Sequence, residues 1–149
     1  MCLDVPDHAY ERAINTLELG GVIAYPTESV YGLGCDPFNL NAFRALMKLK
    51  QRDEGKGLIL IAANWEQISP FLGQIEPNRE QAIRDKWPGP YTWLFPRTDL
   101  VPDWIVGTWD TVAVRVTAHP VANRLCAQYG KPIVSTSANP AGQSPARNH

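Results

Sequence analysis

Cysteine is scarce: Cys2, Cys35 and Cys126 are odd in number, isolated, and lack any CxxC or Cys/His spacing. That excludes a disulfide framework and a zinc site of the usual ligand spacing, and it fits reduced thiols in the cytosol. No apolar run reaches the roughly eighteen residues of a membrane span. The N-terminus also lacks a basic stretch leading into an apolar segment. The expectation is a cytoplasmic chain with no membrane partner. Excess charge of either sign is missing, since 14 Lys and Arg oppose 15 Asp and Glu for a net charge of −1. Affinity for a nucleotide or nucleic acid must then come from a local cluster of cations. His8, His119 and His149 are scattered, which supports neither a metal site nor a histidine triad. The sequence has no GxxxxGK[ST] loop, no GxGxxG, no HExxH and no serine nucleophile elbow, so the standard P-loop and Rossmann readings fail.

What is present is enough for one core. A chain of 149 residues with 44% hydrophobic composition buries roughly two thirds of its unfolded surface, and a single domain over residues 1–149 is expected. Tyr10, Ala13, Ile14 and Leu17 recur at helical spacing, with Gly20 and Gly21 placed to stop the helix. Val22 to Tyr25 reads as a strand broken by Pro26, feeding a hydroxyl- and glycine-rich loop from Thr27 to Gly34. A second helix is predicted over Asn41 to Lys50, and Gly57 to Ile61 reads as a strand buried on both faces. Two short helices are expected between Asn64 and Trp87, separated near Pro70 to Pro77 and ending at Trp87-Pro88-Gly89-Pro90. Strands return at Tyr91 to Phe95 and Thr111 to Thr117. Pro120 to Tyr129 is helical and ends at Gly130, and Ile133 opens a last strand. Pro102 to Gly107 reads as a surface loop, and the aperiodic stretch after Asn139 reads as a chain cut short. The alternation gives an α/β class with some parallel strands in the sheet.

Three places carry chemistry. The strand Thr111 to Thr117 sets Val112, Val114 and Val116 on one face and Thr111, Ala113, Arg115 and Thr117 on the other. A guanidinium in the middle of such a strand needs an anion, either an acid of this chain or a ligand carboxylate or phosphate. The last strand runs into Ser135-Thr136-Ser137-Ala138-Asn139. Its hydroxyls and amide suit phosphate and ribose at a sheet edge, or equally a turn that caps its own backbone. From Arg44 to Lys56 five cations oppose two acids. Lys50 and Arg52 close a helix there, either as surface cations complementing its dipole or as a phosphate clamp beside the flexible Gly55 and Gly57.

Taken in order, Pro26-Thr27-Glu28-Ser29-Val30-Tyr31-Gly32-Leu33-Gly34, Leu49-Lys50-Gln51-Arg52, Trp87-Pro88-Gly89-Pro90, Val112-Ala113-Val114-Arg115 and Ser135-Thr136-Ser137-Ala138-Asn139 resemble the YrdC family, in its TsaC branch. The resemblance spans Gly21 to Asn139. It implies a twisted mixed sheet with helices packed on it and a nucleotidyltransferase of tRNA processing. ATP, L-threonine and bicarbonate would give threonylcarbamoyl-AMP and diphosphate. Partner proteins would then use the adenylate to modify the adenosine next to the anticodon in tRNAs reading codons that begin with A. It further implies Lys50 and Arg52 as catalytic cations and Ser29, Arg115 and Ser135 at the threonine site. Arg52, Lys56, Ser137 and Asn139 would bind ATP, with Mg²⁺ accompanying it and no protein-bound metal. Ser29 stands where many relatives have threonine, and Asp53 where the family usually has proline; relatives also continue past this point with further strands. The competing reading is a non-catalytic RNA-binding module that uses the cations from Lys48 to Lys56.

Overall fold

The computed structural model describes residues 4–138. Six helices, α1 (Asp7–Glu18), α2 (Leu40–Lys50), α3 (Trp65–Ile68), α4 (Pro77–Arg84), α5 (Asp103–Val106) and α6 (Pro120–Tyr129), surround a sheet of β1 (Ile23–Pro26), β2 (Tyr31–Gly34), β3 (Ile59–Ala62), β4 (Trp93–Pro96), β5 (Thr111–Val116) and β6 (Ile133–Ser137). The strand order is β1-β2-β6-β3-β5-β4. Only β3 and β5 pair in parallel; the other neighbours are antiparallel. The α/β class and the mixed sheet are therefore as expected.

Strand alternation divides the sheet into two unlike faces. Leu60, Val112, Val114, Val116, Val134 and Phe95 point to one side, where Phe43, Leu46 and Met47 of α2 and Ile68, Ile83 and Ile105 of the following helices complete the larger core. Trp87 belongs to this side, its ring tilted against Trp65 and Phe95 at centroid distances of 6.3 and 6.1 Å. On the opposite side, Ile23, Tyr25, Ile61 and Ile133 pack under α1 and α6 through Tyr10, Leu17, Ala122, Leu125 and Cys126. Ile61 lies in register with both Ile133 and Arg115, and the next row along is Ser135, Ile59 and Ala113. At that row the apolar cover gives way to small and polar side chains, and cavities open over it.

Two segments differ from the sequence expectation. Thr27 to Gly34 is not all loop, because Tyr31–Gly34 pairs with β1 and β6 as β2. The glycines that read as loop residues leave room for Tyr25, whose hydroxyl donates to the Val134 carbonyl at 3.0 Å. A Cβ on Gly34 would sit 2.8 Å from that ring and 2.5 Å from the Val134 oxygen, so the missing side chain serves close approach rather than a turn. Pro102 to Gly107 is not a surface loop either. Asp103–Val106 forms one helical turn with Ile105 and Val106 buried, and Trp104 Nε1 donates to the Pro37 carbonyl at 2.9 Å. Four residues are too few to show a period, and the flanking proline and glycine hide the buried Ile-Val pair.

Candidate active site

The uncovered part of the second face begins at the turn between β1 and β2. Thr27 Oγ1 donates to the Val30 carbonyl, and it lies 3.4 Å from the backbone N–H groups of Ser29 and Val30, which point to it. This hydroxyl-closed turn holds Ser29 outward. Ser29 lines a cavity of about 150 Å³ together with Arg115, Ser135 and Ser137. Three residues expected at the threonine site are thus brought together, and Ser137, expected with ATP, lines this cavity rather than the one beside Arg52 and Lys56.

Arg115 is only 14% exposed, and its Nε stands 3.6 Å from Glu28 Oε2. That separation is an ion pair but not a hydrogen bond, and neither atom has another hydrogen-bond partner among the described residues. The other Glu28 oxygen accepts from the Thr117 hydroxyl and from the His119 backbone N–H at 3.2 Å. Both anions foreseen for Arg115 therefore have a place: an acid of this chain on one edge, a cavity beside it. Glu28 was not singled out from sequence; the signal that pointed to it was the need of Arg115 for a carboxylate.

A second cavity of about 230 Å³ continues along the same face. Arg52 and Lys56 line it with Thr111, Ala113, Leu94 and Trp109, and Ile59 is common to both cavities. Trp109 and Leu94 are 62% and 64% exposed, which is high for large apolar side chains. Sequence reading missed both. Arg52 Nη2 donates to the Gly57 carbonyl at 3.1 Å, while its buried Nε has no partner among the described residues.

Lys50 departs from expectation. It is not a surface cation but 2% exposed, and its Nζ donates to the Ser137 carbonyl at 2.6 Å and lies 3.4 Å from the Ser137 hydroxyl. From the end of α2 it thus fixes the end of β6 at the cavity. Burial first, and then the charge of Arg52, lower its pKa from the ordinary lysine value. The loop beyond it is also not free to flap. Leu58 N–H donates to the Ile105 carbonyl at 2.8 Å, and the Thr108 N–H and hydroxyl both reach the Gly55 carbonyl at 3.1 Å. A Cβ on Gly107 would fall 2.4 Å from that same oxygen. The glycines here permit a tight contact between two segments rather than motion.

Asn139 lies outside the described residues, as does Cys2. Cys35 and Cys126 are buried free thiols. Burial, helped at Cys35 by the charge of Asp36, pushes each up to about 12, which keeps them from acting as thiolate nucleophiles. Among the described residues no group of three or more His, Cys, Asp or Glu side chains could hold a metal ion, and no helix is long and apolar enough to cross a membrane.

Known proteins match this arrangement over most of its length. The family model Sua5/YciO/YrdC, described as telomere recombination, matches residues 15–149. The chain is 55% identical over 136 residues to a threonylcarbamoyl-AMP synthase of Cellvibrio japonicus, covering 91% of this chain and 72% of that protein. A threonylcarbamoyl-AMP synthase of Alkalilimnicola ehrlichii is 58% identical over 132 residues, 89% of this chain and 68% of the relative. Among solved structures, Sua5 of P. abyssi complexed with L-threonine superposes with a TM-score of 0.90 at 33% identity, over 98% of this chain but only 43% of that longer one. YciO of E. coli gives 0.83 at 27% identity, over 96% of this chain and 73% of the other. With residues of four of the five sequence motifs lining the two cavities of the uncovered face, and a match that runs from residue 15 onward, the chain belongs to the Sua5/YciO/YrdC family.

Proposed function

We propose that this chain is a threonylcarbamoyl-AMP synthase that binds L-threonine in the cavity of Ser29, Arg115, Ser135 and Ser137, and ATP in the adjoining cavity of Arg52 and Lys56. The observation that carries the reading is the shared floor: the two cavities meet at Ile59, so an amino acid and a nucleotide would lie side by side on one sheet face. The likeness to relatives named threonylcarbamoyl-AMP synthase, and to a Sua5 structure holding L-threonine, supports the same assignment.

In the reaction proposed, the threonine amine takes up CO2 from bicarbonate, losing a proton, and a carbamate oxygen attacks the α-phosphorus of ATP as diphosphate leaves. No enzyme nucleophile is required. The protein's part is to align two anions and offset their charge, which is where rate comes from in phosphoryl and nucleotidyl transfer. Arg115 would take the threonine carboxylate in a charge-assisted contact. Arg52 and Lys56 would face the phosphates. Lys50 would fix Ser137 and add a desolvated positive charge beside it, with Asn139 as a further nucleotide contact. Leu94 and Trp109 would offer the purine an apolar wall. Magnesium would arrive with ATP and would help Arg52 and Lys56 offset the triphosphate charge. The adenylate would pass to partner proteins that modify tRNA.

Burial of Lys50 weakens the RNA-binding alternative, because that cation is turned inward to Ser137 and away from a duplex or loop. The test is diphosphate release from ATP with RNA absent. Release that requires both threonine and bicarbonate is expected. RNA binding that falls steeply with salt, with no diphosphate released, would replace this reading by the alternative.

A further inference from the structure

Glu28 belongs to none of the groups assigned above, yet it joins parts of the molecule that are far apart in the sheet. It sits in the turn between β1 and β2, whereas Arg115 is on β5 and His119 precedes α6. Three strands, β2, β6 and β3, separate β1 from β5 in the sheet. The β1–β2 turn carries the Glu28 carboxylate over that span to Arg115, which lines the cavity. One oxygen is held by the Thr117 hydroxyl and the His119 N–H. The other faces the Arg115 Nε at 3.6 Å.

The unequal quality of these contacts is informative. A carboxylate that serves to neutralise an arginine frequently takes it bidentate, with two short parallel bonds. Here the hydrogen bonds go to Thr117 and His119, and Arg115 receives only a single long approach. Both facing atoms are buried and lack any other partner among the described residues, a costly state that the surrounding contacts must enforce. The Nε edge of Arg115 is therefore turned to Glu28, which leaves the terminal nitrogens of the guanidinium for the cavity it lines. Because Ser29 is the next residue after Glu28, the same carboxylate also sets the distance between the two walls of that cavity.

We infer that Glu28 is a positioning residue that acts through Arg115, orienting the guanidinium for the carboxylate of the amino-acid substrate. The inference rests on the threonine assignment proposed above. Glu28→Gln isolates the effect. The amide oxygen can keep the contacts to Thr117 and His119, while the amide N–H2 replaces the oxygen that faced Arg115 and sets donor against donor. Arg115 must then turn away from the cavity.

The experiment is a double-mutant cycle in the full chain, read by calorimetric titration with L-threonine, with threoninol, which lacks the carboxylate, and with ATP. Glu28→Gln is expected to weaken threonine about tenfold, the size of one lost charged hydrogen bond, and to leave threoninol and ATP unchanged. In the Arg115→Ala background the same substitution should cause no further loss of threonine affinity. Thr117→Val, which removes the hydroxyl that clamps Glu28 but keeps the side-chain shape, should shift threonine affinity in the same direction by a smaller factor. It serves as the test if Glu28→Gln does not fold. If Arg115→Ala itself leaves threonine binding intact, the assignment of the cavity fails. If Arg115→Ala weakens threonine but Glu28→Gln does not, or if Glu28→Gln acts equally with Arg115 absent or on ATP, the positioning role is overturned while the cavity assignment stands.

Discussion

On one face of the sheet Val112, Val114 and Val116 lie against the core built with α2 to α5 and are shut from solvent, while on the other their sequence neighbours Thr111, Ala113 and Arg115 line cavities. The same alternation runs through β6, where Val134 is core and Ser135 and Ser137 face the open side. Stability and binding are thus assigned to alternate residues of the same strands. Along β5 and the Ser135–Ser137 end of β6 a substitution moves one or the other according to the parity of its position, whereas Ile61 and Ile133, on the same side, are core under α1 and α6. Lys50 is the exception, a buried cation that starts on a helix of the covered side and ends on the rim of the cavity.

Substitutions can break that division in order of effect. Leu60→Ala, on the fully buried side of β3, should cost about 2–5 kcal/mol of stability, as large-to-small core changes do. Threonine affinity of the folded fraction should be unchanged, and denaturant unfolding beside calorimetry will show whether the faces separate. Lys50→Ala should cost on the order of 1–3 kcal/mol, since it strips the donor from the Ser137 carbonyl, and should also slow diphosphate release. A normal melting temperature in this variant would return Lys50 to the role of a surface cation. Trp109→Ala, by contrast, should leave stability within about 0.5 kcal/mol because the ring is exposed. ATP affinity should fall by about 1 kcal/mol, the lower end of aromatic–base stacking.

A pH profile sharpens the case of Lys50. Burial and Arg52 lower its pKa, so diphosphate release, if it needs this charge, should fall on the alkaline side at a lower pH than an ordinary lysine would set. The sign for stability is opposite. The folded state holds the proton less tightly than the unfolded one, so the contribution is favourable above the ordinary lysine pKa and is lost as pH falls through the lowered value. Activity and stability should therefore move in opposite directions across that window, and stability rising together with activity would contradict the assignment.

Much of the fold could be read from the chain because its elements carry their own periodicity. Helices α1, α2 and α6 and the valine alternation of β5 fall within a residue or two of where apolar spacing and glycine stops put them. The failures share a cause. In β2 the glycines answer to the Tyr25 ring from another strand. In α5 the helical turn exists because Ile105 and Val106 reach a distant core. Between Gly55 and Gly107 the tight contact joins segments far apart in sequence. Each depends on a tertiary neighbour that no local pattern encodes. The site divides the same way. Ser29, Arg115, Ser135 and Ser137 were identified by motif and meet in one cavity, whereas Leu94 and Trp109 carry no local signature, and Glu28, though inside the first motif, matters through what it faces across the sheet.

The central claim, that the uncovered face recognises an amino acid through Arg115 and a nucleotide through a separate set of cations, is tested most directly by titrating folded Arg115→Ala with L-threonine and with ATP. The expected result is a loss of about 1.5–3 kcal/mol in threonine binding, the worth of a charge-assisted contact, with ATP affinity changed by less than about 0.5 kcal/mol. Unchanged threonine affinity, or equal losses for both ligands, would contradict it.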